Sequence, residues 1–272
     1  MMTQADKVAV FRQLHESGTT FVIPNPWDAG SARLLQGVGF QALATTSAGF
    51  AQSLGRLDGE VSLEEKLAHC EALVSVTDIP VSADFENGFA DDPESVAKNL
   101  VMAADTGLAG ASIEDFSGRA IYDFELAVAR IQACVNSKTE MKSDFVLTAR
   151  AENLLRGVDD LEDTIKRLQA FEAAGADVLY APGLNSLEQI QQVMAEISKP
   201  MNVLTAFLPN VRVDEFQSIG VARLSIGSAL ANHAIGATIA AANAMLGSEQ
   251  AAGNFEWMSA AAPGAEIKRL LS

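Results

Sequence analysis

The chain has 272 residues, 49% of them hydrophobic, so it can bury a large core without disulfide bonds or a structural metal. Its formal net charge of −16 argues against nucleic acid or an anionic membrane surface as a partner. The first residues, MMTQADKVAVFRQL, lack the basic and apolar regions expected of a signal peptide, and no apolar run reaches the roughly 20 residues that a membrane helix needs. Cys70 and Cys134 have no metal-site or disulfide spacing, so we expect a soluble cytoplasmic protein with two reduced thiols.

Short apolar runs alternate with longer segments of helical period from residue 20 to residue 246. Eight of these runs are predicted strands: Phe21–Pro24, Ala42–Thr45, Pro80–Asp84, Gly110–Glu114, Phe145–Arg150, Asp177–Tyr180, Met201–Leu204 and Ala222–Ser225. The predicted helices between them include Ser62–Val76, Pro93–Asp105, Asp123–Val135 and Asp159–Ala174. Helix-start signals occur at Ser62, Asp92-Pro93 and Asn185-Ser186, and Gly107, Gly175 and Gly220 mark helix ends.

Eight β–α units in one uninterrupted run predict a single (β/α)8 TIM barrel, an α/β fold, rather than an open sheet. The barrel domain would span residues 1–247. The alanine-rich stretch 228–246 is interrupted by polar residues and is predicted to be a packing helix. The tail, residues 248–272, would be helical and pack on the barrel or on a neighbouring subunit.

Charged residues lie at the ends of adjacent predicted strands, where a barrel of this kind performs its chemistry. Asp84 ends the third strand, with Glu86 just beyond it, Glu114 ends the fourth, and Arg150 ends the fifth. The loop after the second strand returns Asp58 to the same mouth. Carboxylates crowded together repel one another, and a bound Mg2+ removes that cost. The alternative is that Arg150 neutralises one acid while the others are solvated rim charges.

Two segments of small residues favour an anion at the mouth. Thr46, Ser47 and Ala48 follow the second strand and can offer backbone N–H groups, although such runs are also common in plain turns. The segment Ser225–Ser228 resembles the phosphate-binding corner of many barrels. It is equally consistent with a glycine turn capped by Ser228.

Other catalytic chemistries find little support in the sequence. His15 and His69 lie on helices away from the strand ends, and His233 is expected to be a polar core residue. No lysine lies at a strand end, because Lys142 and Lys199 precede strands at the opposite face. A Schiff-base aldolase is therefore disfavoured, which leaves metal-assisted enolate chemistry.

The chain resembles the isocitrate lyase/phosphoenolpyruvate mutase superfamily over roughly residues 5–247. The resemblance is carried by five segments that occur in order: Pro24-Asn25-Pro26-Trp27-Asp28-Ala29-Gly30-Ser31-Ala32, Ser53-Leu54-Gly55-Arg56-Leu57-Asp58, Ser82-Ala83-Asp84 with Gly88-Phe89, Ser112-Ile113-Glu114-Asp115 and Thr148-Ala149-Arg150-Ala151-Glu152.

The resemblance implies roles for these residues. Asp58, Asp84 and Glu114 would hold Mg2+, for which Mn2+ is a possible substitute, directly or through water. Arg150 would meet the carboxylate or enolate oxygen of the substrate, and the backbone around Ser47 would hold the carboxylate of a pyruvate-like unit. The resemblance also implies a homo-oligomer, a dimer or tetramer, in which the last barrel helix is swapped between subunits.

Two departures from the family pattern narrow the expected chemistry. The usual third-strand ending is Asp-Ala-Asp, but the first acid is Ser82 here, and Glu86 is the candidate that replaces its charge as a metal ligand. The loop at residues 116–122 lacks the cysteine of the isocitrate and methylisocitrate lyases, which makes those two activities doubtful. Tyr122 is the candidate proton donor instead, and Arg119 could close over the substrate. The alternative is that Tyr122 is a packing residue under the loop.

The sequence therefore predicts a Mg2+-dependent lyase that cleaves a C–C bond next to a small 2-oxo or dicarboxylic acid, through a pyruvate enolate, in the manner of oxaloacetate decarboxylase. Three alternatives stay open. They are a C–P bond enzyme like phosphonopyruvate hydrolase or phosphoenolpyruvate mutase, a 2-hydroxy-dicarboxylate lyase with a different acid, and a non-catalytic carboxylate binder. Specificity is expected to depend on the 116–122 loop and on Tyr180, Asn202 and Phe207.

Overall fold

The computed structural model describes residues 2–248 and 251–272 of the chain. Within them, eight parallel strands form one sheet: β1 Phe21–Ile23, β2 Leu43–Ala44, β3 Val81–Asp84, β4 Gly110–Glu114, β5 Val146–Arg150, β6 Val178–Tyr180, β7 Met201–Leu204 and β8 Arg223–Ser225. Each lies inside the run that the sequence predicts. The strands are shorter than those runs by at most two residues, because residues at the ends of a run do not join the ladder.

Eleven α-helices occur in the same described residues: α1 Gln4–Glu16, α2 Ala29–Val38, α3 Ser47–Ser53, α4 Leu63–Ser75, α5 Pro93–Asp105, α6 Phe124–Ser137, α7 Leu161–Ala173, α8 Leu187–Ala195, α9 Val213–Ser218, α10 Ala229–Leu246 and α11 Gly264–Leu271. The predicted start signals are confirmed. The side chains of Ser62, Asp92 and Ser186 each accept a backbone N–H in the first turn of α4, α5 and α8. Gly175, at φ +102°, ends α7 as predicted.

The strand order β1-β8-β7-β6-β5-β4-β3-β2 brings the first and last strands together. β1 pairs with β8 over three residues, from Phe21 opposite Arg223 to Ile23 opposite Ser225. The seam between β1 and β2 is closed by the Ala44 N–H, which donates to the Pro24 carbonyl oxygen at 3.1 Å. The prediction of a (β/α)8 barrel is thus confirmed.

Helix α1 covers the N-terminal face of the barrel. Phe11 is fully buried in a small apolar cluster with Phe21 and Val146. The larger apolar cluster lies between the sheet and its outer helices. With one face of the barrel sealed, the strand ends at the opposite face are left open for chemistry.

Helix α10 is an exception to the packing of the other long helices, since Ala231 is its one buried residue. Ile235 and Ile239 are exposed. The expected packing is therefore not made within the subunit, and His233, expected in the core, is exposed. By length and composition α10 is also the one described helix that could cross a membrane. A single helix of this kind is weak evidence for a membrane span.

The tail returns to the barrel surface. Residues 249 and 250 of the predicted tail lie outside the described residues. Beyond them α11 packs against α2, where Arg33 donates a hydrogen bond to the Leu271 carbonyl oxygen. Gly37 permits this close approach, because a Cβ there would overlap the Leu270 backbone.

Candidate active site

Two cavities meet at the C-terminal ends of the strands. The first, of about 350 Å3, extends into the barrel interior, and the second, of about 420 Å3, lies between the loops that follow β2, β3 and β4. Ser47, Asp58 and Arg150 line both. Other predicted site residues line only the first cavity, namely Thr46, Ala48, Ser82, Asp84, Tyr180, Asn202 and Phe207, or only the second, namely Glu86 and Glu114.

Arg150 lies where the two cavities join. Its Nε donates to Glu152, which is fully buried. Its Nη1 lies 3.3 Å from Asp84 and 3.4 Å from Glu114. Burial opposes its charge, but Glu152 and Glu114 raise the pKa of Arg150 well above its usual value. Within the described residues Nη2 has no hydrogen-bond partner. Its N–H groups are therefore available to donate to an anion bound in either cavity.

Asp84 is held as a carboxylate by its surroundings. Besides Arg150, it accepts the Ser47 N–H at 3.1 Å. Burial raises its pKa, but Arg150, Lys66 and Ser47 together outweigh burial, so the pKa of Asp84 is below its usual value.

Glu86 and Glu114 line the second cavity, and unlike Asp84 they have raised pKa values. Burial raises the pKa of Glu86 to about 7, with Asp84 and Asp58 adding repulsion. Burial also raises the pKa of Glu114, against the opposing effect of Arg150. Both pKa values indicate carboxylates that lack sufficient positive charge nearby, which a divalent cation would supply.

The described residues contain no group of three acids, histidines or cysteines arranged around one point for a metal ion. Mg2+ does not require one, since it usually keeps several waters and binds through one or two carboxylates together with its substrate. Asp58 and Asp84 line the first cavity, and Asp58, Glu86 and Glu114 line the second. These hard oxygen donors fit Mg2+ held largely through water. Ser82 lines the first cavity and adds no charge.

The small residues after β2 form a helix start rather than a loop. Thr46 caps α3, and its side chain accepts the Gly49 N–H at 3.2 Å. The Ser47 N–H is occupied by Asp84. In the predicted phosphate corner, the Ile226 N–H donates to Asn25 Oδ1 at 3.0 Å, and Ser228 makes no side-chain cap. The Ile226 N–H is therefore not available to a phosphate, and the side chain of Ser228 does not cap α10.

Tyr122 does not reach either cavity. Its hydroxyl donates to Asp91 and accepts from Asn87 Nδ2 at 3.0 Å, and Arg130 stacks on its ring. Burial raises the pKa of the Tyr122 phenol to about 12. Tyr122 therefore braces the loop after β3, which argues against the predicted role as proton donor. Arg119 is exposed and is absent from both linings.

The sequence predictions did not include three basic residues that lie in the site or directly behind it. Lys66 is fully buried on α4, and its Nζ donates to Thr45 Oγ1 at 3.3 Å. Arg156 lines the second cavity and pairs with Glu152 at 2.9 Å. Arg223 lines the first cavity from β8. For Arg223 the sequence did contain a signal, because this arginine lies inside a predicted strand. Arginine is rarely buried without a partner, so its position pointed to a functional site.

Comparison with known proteins identifies the family of this chain. The family model described as phosphoenolpyruvate phosphomutase matches residues 11–246. The chain belongs to the phosphoenolpyruvate phosphomutase family. Among relatives of this family, an uncharacterized protein of Mycobacterium tuberculosis is 33% identical over 241 residues, covering 88% of this chain and 90% of the relative.

Two relatives carry named activities. The 2-methylisocitrate lyase of Escherichia coli is 32% identical over 72% of this chain and 69% of the relative. The oxaloacetate decarboxylase of Pseudomonas putida is 27% identical over 82% of this chain and 78% of the relative. These matches confirm the predicted class, a lyase of the isocitrate lyase/phosphoenolpyruvate mutase superfamily.

Solved structures of the phosphoenolpyruvate phosphomutase fold superimpose closely. A Burkholderia cenocepacia protein described as a lyase or mutase has a TM-score of 0.93 at 45% identity, covering 99% of this chain and 96% of that one. A 2,3-dimethylmalate lyase has a TM-score of 0.83 at 27% identity, covering 99% and 95%. A phosphonopyruvate hydrolase in complex with oxalate and Mg2+ shares the fold, with a TM-score of 0.85 at 21% identity, covering 99% and 95%.

Proposed function

We propose that this protein is a Mg2+-dependent lyase that cleaves the C–C bond next to a small 2-oxo acid carrying a second acidic group. The observation that carries the proposal is Arg150. Its Nε is fixed by Glu152, its Nη1 lies near Asp84 and Glu114, its Nη2 has no hydrogen-bond partner among the described residues, and the residue lines both cavities. A guanidinium fixed in this way can pair with a substrate carboxylate and stabilise developing negative charge.

The substrate would lie with its 2-oxo acid end between Arg150 and the start of α3. Thr46, Ser47 and Ala48 line this part of the first cavity. The Ser47 and Gly49 N–H groups already donate to Asp84 and Thr46, which leaves the Ala48 N–H of this turn for the substrate carboxylate. Asn202 lines the same cavity and is the remaining predicted substrate contact. A volume of about 350 Å3 suits a short acid, because ligand sites begin at roughly that size.

Asp58, Asp84, Glu86 and Glu114 would hold Mg2+, or Mn2+ in its place, with water completing the coordination. When bound, the cation would withdraw electron density from the 2-oxo group, a contribution typically worth several kcal/mol.

The reaction that requires fewest protein groups is decarboxylation of oxaloacetate. The bond between C3 and the distal carboxyl carbon breaks, its electron pair forms the enolate of pyruvate, and CO2 departs. Arg150 offsets the negative charge on the enolate oxygen. Water then protonates C3, because no cysteine and no Tyr122 side chain from the 116–122 loop lines either cavity within the described residues.

We also propose a cytoplasmic homo-oligomer joined through α10. The buried thiols of Cys70 and Cys134 are consistent with a reducing compartment. The exposed apolar residues of α10 require cover, and a second copy of the same helix would supply it.

The proposal is tested by following pyruvate release in Mg2+ from oxaloacetate, phosphonopyruvate and alkylated malates. We expect turnover of one C–C substrate, with loss of turnover in EDTA. Asp84→Ala and Glu114→Ala should lower kcat/KM by about 100-fold or more, whereas the exposed Glu162→Gln should not change it.

Release of pyruvate from phosphonopyruvate alone would move the assignment to C–P chemistry. Unchanged turnover in Asp84→Ala or in EDTA would contradict the metal assignment. Binding of oxalate that is independent of Mg2+, with no turnover of any substrate, would indicate a carboxylate-binding protein.

A further inference from the structure

The floor of the first cavity contains a buried cation without a counter-ion. Arg223 begins β8, two residues deeper in the barrel than Ser225, and its relative exposure is 5%. It lines the first cavity together with Asn202 and Ser82. Interiors of such barrels are ordinarily filled by branched apolar side chains, so an arginine that reaches a cavity there calls for an explanation.

All hydrogen-bond partners of Arg223 in the described residues are neutral. Nε donates to Asn202 Oδ1 at 2.8 Å, Nη2 donates to Thr148 Oγ1 at 3.2 Å, and Nη1 lies 3.2 Å from His15 Nε2. Arginine has no acceptor, so His15 Nε2 must accept, and the ring proton lies on Nδ1, which donates to the Phe11 carbonyl oxygen at 2.8 Å.

His15 therefore contributes no charge, and burial lowers its pKa to about 3. No carboxylate in residues 2–248 or 251–272 forms an ion pair with Arg223. A guanidinium has five N–H groups, and these three bonds leave two of them available. Burial lowers the pKa of Arg223 to about 10, so the group is still charged at neutral pH and bears the desolvation cost of an unpaired ion.

We propose that Arg223 receives the second carboxylate of the substrate at the floor of the first cavity. The inference rests on the proposed function, in which Arg150, together with Mg2+ held by the acids at the rim, would bind the 2-oxo acid end. A carboxylate fits better than a phosphonate, because Arg223 and Arg150 are the only basic residues among the described residues that line this cavity. Arg150 already has Asp84, Glu114 and Glu152 as anionic partners, so Arg223 contributes the one positive charge in this lining that no carboxylate compensates.

Arg223 also restricts the class of substrate. A carboxylate paired with a guanidinium loses that pairing when it becomes neutral CO2, so the pairing opposes decarboxylation of the same group. Arg223 thus favours dicarboxylic 2-oxo or 2-hydroxy acids whose second carboxylate remains on a product. Oxaloacetate, which loses its distal carboxylate, would gain less from this residue.

The test compares two stable ligands that differ only in the distal carboxylate, 2-oxoglutarate and 2-oxopentanoate, by calorimetry in Mg2+. We expect the wild-type protein to bind 2-oxoglutarate about 30-fold more tightly or better, as breaking one charge pair predicts. In Arg223→Gln the two affinities should become equal within about threefold, with 2-oxopentanoate binding retained.

Two isosteric variants guard against misfolding of Arg223→Gln. Asn202→Asp places a carboxylate beside Nε and should abolish the preference for 2-oxoglutarate by occupying the cation. Thr148→Val removes a neutral partner of Arg223 outside the cavity lining and should keep the preference. The phosphonate analogue 2-oxo-4-phosphonobutanoate should bind less tightly than 2-oxoglutarate.

Equal affinity of the wild-type protein for 2-oxoglutarate and 2-oxopentanoate would overturn the Arg223 proposal and leave the proposed function intact. A preference that survives in both Arg223→Gln and Asn202→Asp would overturn it as well. Tighter binding of the phosphonate would overturn the carboxylate assignment. If neither ligand binds in a Mg2+-dependent manner, the proposed function itself fails.

Discussion

Glu152 organises the charged residues of the site, although it lines neither cavity. It is fully buried and accepts hydrogen bonds from Arg150 and Arg156, and its own backbone N–H donates to Asp115 at 2.7 Å. Asp115 is paired in turn with Arg167 at 3.0 Å. In this series of buried polar contacts, each charge is compensated by its neighbours. Removing one member therefore leaves a buried ion with less compensation.

We predict that Glu152→Gln lowers the free energy of unfolding by about 3 kcal/mol, because Arg150 and Arg156 both lose the fully buried carboxylate that they share. Urea denaturation measures this change. The control is Glu162→Gln, which removes the exposed partner of Lys166 at 2.9 Å and should cost less than about 0.5 kcal/mol. Equal effects of the two substitutions would contradict the argument.

A second prediction concerns His69, which is buried with its ring stacked on Phe50 at 3.7 Å. Burial, followed by the charge of Lys66, lowers its pKa from 6.5 to about 3. A base with a lowered pKa stabilises the fold fully above pH 6.5, and this contribution is lost as the pH falls toward 3. At pH 5 the loss is about 2 kcal/mol.

His69→Gln should therefore flatten the pH dependence of stability between pH 7.5 and pH 5 by about that amount. The glutamine amide can still donate to the Trp27 carbonyl oxygen, which His69 Nε2 approaches at 3.0 Å. The measurement is urea denaturation across this pH range. An unchanged pH slope would show that His69 is not held neutral by the fold.

At the scale of elements, α10 differs from every other long helix in the described residues. It begins at the cavity, where Ala229 and Asn232 contribute to the lining, and then extends into solvent with Ile235 and Ile239 exposed. Leaving the apolar side chains of α10 exposed to water costs free energy in an isolated subunit. The first turn of α10 would therefore connect the proposed oligomer contact to the site.

We predict that Ile239→Asp dissociates the proposed oligomer, because it would place a charge in an apolar helix–helix contact. Light scattering coupled to size-exclusion chromatography measures the mass directly. Val213→Asp, at another exposed apolar position on α9, should leave the mass unchanged. A wild-type protein that is monomeric at micromolar concentration would refute the proposed contact.

At the scale of the whole molecule, the net charge of −16 includes the carboxylates gathered at one end of the barrel. Any ligand that binds the folded chain alone adds to its stability by mass action, about 2.7 kcal/mol at 100 times its Kd. Mg2+ should therefore raise the melting temperature beyond the effect of NaCl at equal ionic strength.

Glu114→Gln should lose most of this Mg2+-specific increase, while Glu162→Gln should retain it. Differential scanning calorimetry resolves the two cases. If Mg2+ and NaCl act equally on the wild-type protein, the acids at the strand ends do not form a metal site.

The sequence by itself determined the barrel and the residues at its mouth. The alternation of apolar strands with capped helices is a local pattern, and Asp84, Glu114 and Arg150 occupy strand ends whatever the side chains do. The tertiary structure decided which of these side chains share a cavity. It turned Tyr122 toward Asp91, buried Lys66 beside Thr45, exposed α10 and placed Arg223 at the floor of the first cavity. These outcomes depend on side-chain directions and on the closure of β1 against β8, which unite residues far apart in the chain and leave no local signal.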